Sequence, residues 1–282
     1  MRILLFGSTG MLGSALENVF KNKKVDYVAT KHEDVDITVQ KEIKKTIKKY
    51  SPDIVINSAA LVGNYQCMVQ PEKTFQINSI AVYKLVQLCK KNNIILAQIS
   101  SSSVFDGKKN YFYTENDIPN PISMYGASKY IAECFARNNM KKYYIFRLPL
   151  LFGNRRNIGG RFLDKAVNAT KEGSTLKVSV DKIDSPTYTI DAANAIFDII
   201  NKISPFGVYH IANSGKVNLY DFMHKFKELS KSDVNLIRSR EKDFKFADNI
   251  PLILPLKSIK IKPLRNWDEA LNNYIKNDLQ SY

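Results

Sequence analysis

The chain has 282 residues, 44% of them hydrophobic, which is enough to bury the core of one large domain with or without a smaller lobe. Its formal net charge is +15, from 42 basic and 27 acidic residues. The lysines are spread along the whole chain without a nucleic-acid-binding motif, so we expect no nucleic-acid partner and interpret them as a solvated surface or an attraction for anionic ligands. No stretch approaches the ~18 apolar residues that cross a bilayer, so we expect no membrane partner.

The amino terminus and the cysteines both favour a cytoplasmic protein. The opening run Met1–Gly7 is shorter than the apolar segment of a signal peptide and enters a glycine turn, so it predicts a first strand. Cys67, Cys89 and Cys134 are odd in number and lack the spacing of metal ligands. We therefore expect reduced thiols, no bound metal and a cytoplasmic location.

Apolar, β-rich runs alternate with helical patterns through the first half of the chain. Strands are predicted at Arg2–Phe6, Tyr27–Thr30, Ile54–Asn57, Ile94–Ser100 and Tyr144–Leu148. Helices are predicted at Met11–Lys21, Val39–Tyr50, Phe75–Lys91 and Tyr125–Asn138. This alternation predicts an α/β fold with a doubly wound parallel sheet covered on both faces. After Gly153 the pattern loosens, which predicts a smaller lobe over the C-terminal edge of the sheet.

A glycine loop, Gly7-Ser-Thr-Gly10-Met-Leu-Gly13, follows the first predicted strand and opens the first predicted helix. Glycines permit a tight turn and let a pyrophosphate approach the free N–H groups of a helix N-terminus. The spacing is Gly-x-x-Gly-x-x-Gly rather than Gly-x-Gly-x-x-Gly, and a plain strand-to-helix turn is the alternative. We predict that the loop binds a dinucleotide through Gly7, Thr9, Gly10, Met11 and Leu12.

The loop and the strand–helix alternation together define the predicted domains. Residues 1–153 are predicted to form an NAD(P)-binding Rossmann domain, completed by a returning strand near residues 207–212. Residues 154–282 are predicted to form mainly a C-terminal substrate lobe.

The end of the second predicted strand bears on the choice of cofactor. A cation there suits the 2′-phosphate of NADP, whereas an acid suits the ribose hydroxyl of NAD. Lys31 and His32 therefore favour NADP, although Glu33–Asp34 follows closely and leaves NAD open, and Lys31 as a solvated lysine is the alternative. Asp36 and Ile37 lie in a turn that could flank the adenine, and a helix-cap role for Asp36 is equally open.

Three side chains form the predicted catalytic group. Tyr125 and Lys129 are four residues apart in a predicted helix and share one face, while Ser101 lies at the end of a predicted strand. An ammonium beside a phenol stabilises the phenolate, so Tyr125 would donate a proton to a carbonyl oxygen as hydride reaches the carbon. Lys129 would also bond the nicotinamide ribose, and Ser101 would hold the same substrate oxygen. The four-residue spacing alone is a weak signal, because it recurs at Tyr27 and Lys31. Taken singly, Tyr125 could be a half-buried aromatic residue and Lys129 a solvated lysine.

These motifs resemble the extended short-chain dehydrogenase/reductase superfamily and, more narrowly, dTDP-4-dehydrorhamnose reductase and its relatives. The matching segments run nearly end to end: Gly7–Gly13, Asp34-Val-Asp-Ile-Thr38, Pro52-Asp-Ile-Val-Ile-Asn-Ser-Ala-Ala60, Pro71-Glu72 with Asn78, Ile99–Gly107, Tyr113-Thr-Glu, Pro119-Asn-Pro, Tyr125-Gly-x-x-Lys129, Arg147, Ser185-Pro-Thr187, Gly207–Ala212 and Pro263–Leu271. The resemblance implies a Rossmann domain with a small substrate lobe. It further implies NAD(P)H-dependent reduction of a nucleotide-linked 4-keto sugar and cofactor contacts at Ala59, Ala60 and Leu61, as well as at Tyr125 and Lys129.

Four positions that the resemblance assigns to the sugar differ from the family pattern. The usual Ser-Thr-Asp-Tyr is Ser100–Ser103 here, so Ser101 keeps a hydroxyl while Ser102 and Ser103 replace an acid and a tyrosine. Leu150 stands where a tryptophan is expected, and Arg161 stands in place of an asparagine. The residues that the resemblance assigns to hydride transfer are all present. The four differences therefore put in question only a substrate of the rhamnose type.

Other functions remain open at this point. The serine run also resembles that of nucleotide-sugar 4-epimerases, which retain NAD, although the C-terminal tail and short length favour a reductase. A non-catalytic NADP-binding subunit, similar to the regulatory subunit of methionine adenosyltransferase, is the second alternative. The sequence leaves the oligomeric state open, with a homodimer as one alternative.

Overall fold

The computed structural model describes residues 1–154, 163, 174–244 and 249–279. The strands, β1 to β14 in chain order, are Ile3–Phe6, Tyr27–Thr30, Ile54–Asn57, Ile95–Ser101, Tyr143–Leu148, Leu151–Phe152, Thr175–Ser179, Ile183–Asp184, Thr187–Tyr188, Gly207–His210, Asn213–Ser214, Val217–Asn218, Asn235–Ser239 and Leu264–Asn266. The helices, α1 to α9, are Met11–Asn22, Gln40–Tyr50, Asn64–Val69, Pro71–Phe75, Ala81–Lys91, Met124–Asn139, Thr189–Asn201, Leu219–Ser230 and Trp267–Asn277. A π-helical turn, Gln76–Ile80, joins α4 to α5.

The central sheet has six parallel strands in the order β2-β1-β3-β4-β5-β10. Strands β1 and β3 are buried along their whole length, which is why they read as continuous apolar runs rather than alternating ones. From β1 the chain moves outward to β2 and then returns to the other side of β1 to form β3. Ligands of open α/β sheets bind at the carboxyl ends of the strands beside such a reversal of order. The predicted α/β fold with a parallel sheet is confirmed.

Helices cover both faces of this sheet. On one face, α1 and α7 pack through apolar side chains such as Leu16, Phe20 and Ile196. On the other face, α2, α5 and α6 pack through side chains such as Ile43 and Leu85. Each fully buried aliphatic or aromatic side chain contributes about 1.5–3 kcal/mol, so the two layers hold the strand ends firmly in place.

The chain leaves the sheet after β5 and returns to it at β10. Strand β10 pairs with β5 in register, from Gly207 opposite Tyr144 to His210 opposite Arg147. Much of the remaining C-terminal half forms a separate apolar cluster around Phe152, with short strand pairs β7–β13, β8–β12 and β6–β9. The division of the chain at residue 153 stays a prediction.

Two local features differ from the sequence prediction. The helix predicted at Phe75–Lys91 begins earlier, at Pro71, a residue favoured in the first helical turn because its missing N–H is unused there. Helix α3 was not predicted, because its six residues carry no apolar period, and Tyr65, Met68 and Val69 are exposed. The other predicted strands and helices are observed within one or two residues of their bounds.

Cys67 and Cys89 are buried, Cys134 is partly buried, and all three are free thiols. Over the described ranges, no helix combines the length and the apolar character needed to cross a membrane.

Candidate active site

The glycine loop is wound tightly against its neighbours at the point where the strand order reverses. Gly7 has φ +79°, and a Cβ there would lie 2.5 Å from the backbone nitrogen of Ala59. A Cβ on Gly13 would lie 2.1 Å from the carbonyl oxygen of Gly7. Gly10 is the N-cap of α1 and supplies no side chain to the helix N–H groups. These features fit the pyrophosphate of a dinucleotide, which needs close backbone approach and free N–H donors.

The other predicted residues of this loop fall into two groups. Met11 and Leu12 are 6% and 4% exposed, so their side chains belong to the core. Only their backbone N–H groups can therefore bind a ligand. Thr9 is half-buried in the loop itself. The helix dipole adds a partial positive charge at this end of α1, and the first turn holds no acidic side chain to oppose an anion.

The residues after β2 form a turn at the neighbouring strand end. Lys31 and His32 are exposed. The Asp34 carboxylate folds back and accepts a hydrogen bond of 3.0 Å from the Lys31 amide. Asp36 accepts hydrogen bonds of 2.8 Å from both the amide and the hydroxyl of Thr38. Burial raises the pKa of Asp36, but these bonds outweigh it and the pKa is lowered overall.

The structure distinguishes between the two roles considered for Asp36, an adenine contact and a helix cap. Helix α2 has Val39 as its N-cap and no side-chain cap, so Asp36 stabilises the turn rather than capping the helix. Ile37 is buried, with only 8% of its surface exposed, so little of its side chain is accessible to a ligand.

The segment after β3 is fixed by Asn78. Its side chain accepts a hydrogen bond of 2.9 Å from the Leu61 amide and donates one of 2.9 Å to the Leu61 carbonyl. The same amide group donates to the Ser128 hydroxyl at 3.0 Å, and Ser128 donates to the Tyr125 carbonyl at 2.8 Å. Ala59, Ala60 and Leu61 are partly exposed. One buried asparagine thus connects the predicted cofactor segment to the helix that carries Tyr125.

The serine run forms a turn at the carboxyl end of β4. The Ser101 hydroxyl accepts a hydrogen bond of 3.1 Å from the Ser103 amide and donates one of 3.3 Å to the Ser103 hydroxyl. Helix α6 starts directly against this turn, because a Cβ on Gly126 would lie 2.0 Å from the Ser103 carbonyl oxygen. The structure therefore brings the segments of Ser101 and Tyr125 together.

Lys129 lies one helical turn beyond Tyr125 and is only 3% exposed. Its ammonium makes no hydrogen bond or ion pair with any side chain or carbonyl in the described part of the chain. Burial lowers the pKa of Lys129 to about 8, against the opposing attraction of Glu133 and Cys67. A buried ammonium without protein partners has its donors available for a ligand.

A network of polar side chains lies beneath Lys129 and Ser101. Glu133, fully buried, accepts a hydrogen bond of 2.5 Å from the Ser100 hydroxyl and bonds of 2.7 and 3.0 Å from the Arg147 guanidinium. Arg147 lies 3.5 Å from a ring nitrogen of His210. Burial lowers the pKa of His210 to about 4, so the imidazole is uncharged near neutral pH.

The predicted substrate residues are only partly assembled in the described chain. Ser103 is half-buried, whereas Ser102 is 2% exposed and presents almost no surface. Leu150, just after β5, is partly exposed, and its amide donates to the buried Asp184 carboxylate at 3.3 Å. Arg161 lies outside the described residues.

A cavity of about 300 Å³ opens at the start of α6, where Met124 and Ala127 of its lining lie on either side of Tyr125 in the sequence. Its walls are mostly apolar, with Met68 of α3 on one side and Ile122 and Met124 at the start of α6 on the other. Asn249, from the C-terminal half of the chain, closes a third side. The cavity therefore lies between α3, the start of α6 and a segment of the C-terminal half of the chain. Across the described residues, no three His, Cys, Asp or Glu side chains are grouped to hold a metal ion.

Sequence reasoning did not assign a role to Asn78, Glu133 or Asp184. A signal existed for Glu133, because it follows Lys129 by four residues and shares the helix face that bears Tyr125. No local pattern marked Asp184, whose burial depends on segments brought together from distant parts of the chain.

Comparison with known proteins agrees with this geometry. The sequence profile described as the RmlD substrate binding domain matches residues 1–279. The chain belongs to the RmlD family. Among curated proteins, the spore coat polysaccharide biosynthesis protein SpsK of Bacillus subtilis is similar to this chain, 29% identical over 98% of this chain and 97% of that protein.

Solved structures named dTDP-4-dehydrorhamnose reductase have the same fold. The RfbD ortholog of Clostridium acetobutylicum superimposes with a TM-score of 0.92 at 30% identity, covering 100% of both chains. The Bacillus anthracis enzyme in complex with NADP also gives a TM-score of 0.92, at 26% identity and 98% coverage of both chains. The resemblance stated from the sequence is confirmed at the level of the RmlD family.

Proposed function

We propose that this RmlD family member is an NAD(P)H-dependent reductase of a nucleotide-activated 4-keto sugar, acting in deoxysugar or surface-polysaccharide biosynthesis. The relatives named above support the reaction class, since two are called dTDP-4-dehydrorhamnose reductase and one a spore coat polysaccharide biosynthesis protein. The observation that carries the proposal is the buried Lys129 ammonium, which lies one turn from Tyr125 on a helix pressed against the Ser101 turn.

The roles of the three catalytic residues follow from their chemistry. When bound, the reduced cofactor supplies a hydride to the carbonyl carbon. Tyr125 donates its phenolic proton to the carbonyl oxygen, and the Lys129 ammonium stabilises the phenolate that remains. Ser101 turns its hydroxyl proton from Ser103 to the same substrate oxygen, while its own oxygen still accepts from the Ser103 amide. The substrate leaves as the alcohol.

The cofactor is held along the carboxyl edge of the sheet in this proposal. The first turn of α1 and the loop Gly7–Gly10 bind the pyrophosphate, and Ala59–Leu61 lie beside the rest of the cofactor. Lys129 bonds the nicotinamide ribose. Lys31 and His32 face the adenosine end and favour NADP. The nearby Asp34 carboxylate accepts a hydrogen bond from the Lys31 amide.

The substrate site includes Ser103, Leu150 and the cavity at the start of α6, with Ser102 and Arg161 as further predicted members. The proposal includes a cytoplasmic location, where reduced nicotinamide cofactors are made, and leaves a homodimer open.

The deciding experiment measures oxidation of NADPH and of NADH by absorbance, with a panel of freshly generated nucleotide 4-keto-6-deoxy sugars and analysis of each product. We expect oxidation with at least one sugar, faster with NADPH than with NADH. Failure of every sugar, with NADP binding confirmed by calorimetry, would contradict the reductase. Interconversion of sugar epimers without net cofactor oxidation would instead establish an epimerase, and neither activity would favour a binding subunit.

A further inference from the structure

Glu133 occupies a central position beneath the proposed catalytic group. It is fully buried on α6, one helical turn beyond Lys129 and two turns beyond Tyr125. Its carboxylate receives a forked contact from Arg147, at 2.7 Å from Nη2 and 3.0 Å from Nε. The negative charge of a carboxylate held in this way is compensated by the guanidinium through bonds of good geometry.

The third contact of Glu133 reaches the strand that ends in Ser101. The Ser100 hydroxyl donates to Glu133 at 2.5 Å, and Ser100 is paired directly with Arg147 across β4 and β5. Glu133 therefore joins α6 to the last residues of both strands. Any movement of Glu133 would displace the turn on which the Ser101 hydroxyl depends.

Besides its ion pair with Arg147, Glu133 also acts electrostatically on Lys129. Two groups draw the Lys129 ammonium towards its charged form, Glu133 and Cys67. Burial raises the pKa of the Cys67 thiol, so it remains neutral where the enzyme would work. Among the described side chains, Glu133 is thus the acidic group that acts on Lys129.

We propose that Glu133 is a positioning residue of the active site, the counter-ion that keeps the buried Lys129 ammonium charged while its hydrogen bond to Ser100 fixes the strand end that carries Ser101. The inference rests on the proposed function for the role of Lys129 in catalysis. The charge relation between the two side chains is testable without any substrate or cofactor.

The titratable groups that face this pair come from four elements. They are Cys67 on α3, Tyr125 and Tyr130 on α6, Arg147 on β5 and His210 on β10. His210 is neutral and touches the far side of Arg147, and Tyr130 is a phenol whose pKa is raised by burial first and by Cys134 next. Cys67, Tyr130 and His210 therefore supply no negative charge near pH 8 in place of Glu133.

The test is a direct titration of Lys129 in the ligand-free protein. Lysine labelled with ¹³C at Cε is followed by NMR from pH 6 to pH 11, and the Lys129 signal is assigned by its loss in Lys129→Arg. Surface lysines titrate near ~10.4, well apart from a midpoint near about 8 for Lys129. In Glu133→Gln we expect this midpoint to fall by roughly one unit or more, since a nearby opposite charge shifts a pKa by that amount.

Two matched variants separate charge from structure. Ser100→Ala removes a hydrogen bond from the same carboxylate but leaves its charge, so the Lys129 midpoint should stay at the wild-type value. Glu133→Asp keeps the charge, so its midpoint should lie above that of Glu133→Gln. A merely structural role would move the midpoint equally in Ser100→Ala and Glu133→Gln, and this result would overturn the proposal.

A further variant guards against loss of the fold. Glu133→Gln leaves Arg147 buried without its partner, which is strongly destabilising. The double variant Glu133→Gln/Arg147→Met removes both charges and is expected to fold, as shown by circular dichroism. Glu133 rather than Arg147 acts on the Lys129 ammonium, so the titration midpoint of Lys129 should still fall in the double variant. An unchanged midpoint in the double variant would refute the counter-ion role, whereas absent NADPH oxidation would refute only the proposed function.

Discussion

Lys129 and Asp184 are buried ionisable side chains whose pKa values move in opposite directions for one physical reason. Removal from water disfavours the charged form, so the pKa of Lys129 falls to about 8 and that of Asp184 rises to about 7. Lys129 has Glu133 to oppose the effect. Asp184 has two backbone N–H groups, of Ser185 at 2.8 Å and of Leu150 at 3.3 Å, and they do not restore its ordinary value.

The shifted Asp184 carboxyl predicts a pH-dependent stability. In the unfolded chain an aspartate loses its proton near pH ~3.9, whereas the folded protein keeps it until about pH 7. Stability from this group is therefore complete below pH ~3.9 and is lost as the pH rises through 7. Asp184→Asn, which is always neutral, should gain stability over the wild type through this window, reaching at most ~4 kcal/mol at pH 8. Urea unfolding from pH 4 to pH 8 measures the difference.

Asp181 provides a control, because its replacement by asparagine should change the stability in the opposite direction. Burial raises its pKa, but hydrogen bonds of 2.8 Å from the Glu241 amide and the Ser179 hydroxyl outweigh this and lower it. Asp181→Asn should therefore lose stability relative to the wild type, most clearly above pH 4. Equal pH profiles for Asp184→Asn and the wild type would show that Asp184 is charged in the fold.

Tyr125 is the residue on which the proposed proton transfer depends. Tyr125→Phe should lower turnover by ~10²–10⁴-fold, the usual contribution of general acid catalysis, while the dissociation constant for NADP stays the same. Tyr130→Phe removes a phenol from the same helix and should keep wild-type turnover. Steady-state rates with the accepted sugar and calorimetry of cofactor binding give both readouts, and undiminished turnover in Tyr125→Phe would eliminate it as the acid.

Lys31 decides between the two nicotinamide cofactors in our proposal. Lys31→Ala should weaken NADP binding by about 10- to 100-fold, the effect of losing one charged hydrogen bond of ~1.5–3 kcal/mol, and leave NAD binding within about twofold. Lys91→Ala, an exposed lysine at the opposite end of the sheet, should change neither. The comparison is made by titration calorimetry with both cofactors, and equal losses for NADP and NAD would contradict a 2′-phosphate contact.

At the level of elements, the start of α6 is fixed by close backbone contact. Ser123 caps the helix by accepting a hydrogen bond of 3.1 Å from the Gly126 amide, and Gly126 itself lies against the Ser103 carbonyl. Asn78, in the π-helical turn, holds the same helix through Ser128. Helix α6 therefore presents Tyr125 at a position set by three other segments.

This contact predicts a sharp penalty at Gly126. In Gly126→Ala the new Cβ would lie 2.0 Å from the Ser103 oxygen, so the helix must move away from the serine turn. We expect a loss of ~1–3 kcal/mol in stability from overpacking and of about 10²-fold in turnover from misplacement of Tyr125. Ile131→Ala, at an exposed position of the same helix, should leave turnover near the wild-type value. Denaturant unfolding and steady-state rates test both statements.

The helices and strands also show which features a sequence pattern can predict. The parallel strands were predictable because buried β-runs of apolar residues alternate with amphipathic helices, and the positions of Tyr125 and Lys129 followed from the helical repeat. Helix α3 lacked such a period, and the π-helical turn has no known signal in its residues. The contact of Asn78 with Leu61 and the burial of Asp184 depend on tertiary packing, so no local pattern could reveal them.

For the whole molecule, the candidate site is assembled from both halves of the chain. The sheet domain supplies the glycine loop, the serine turn and α6, while Asn249 and the Asp184 segment come from beyond β5. The polar row Ser100, Arg147 and His210 crosses three neighbouring strands in register. A movement of the segment around Asn249 would thus alter the cavity at the start of α6.

The return of the chain at β10 also has a consequence for biosynthesis. Strand β5 ends at Leu148, and its outer edge is covered only when β10 arrives about 60 residues later. At a ribosomal rate of roughly 5–20 residues per second, the β5 edge, with Tyr144 and Phe146, is exposed for about 3–12 s during synthesis. Unpaired strand edges of this kind are templates for aggregation. A nascent chain that stalls between the two strands would therefore be a preferred client for chaperones.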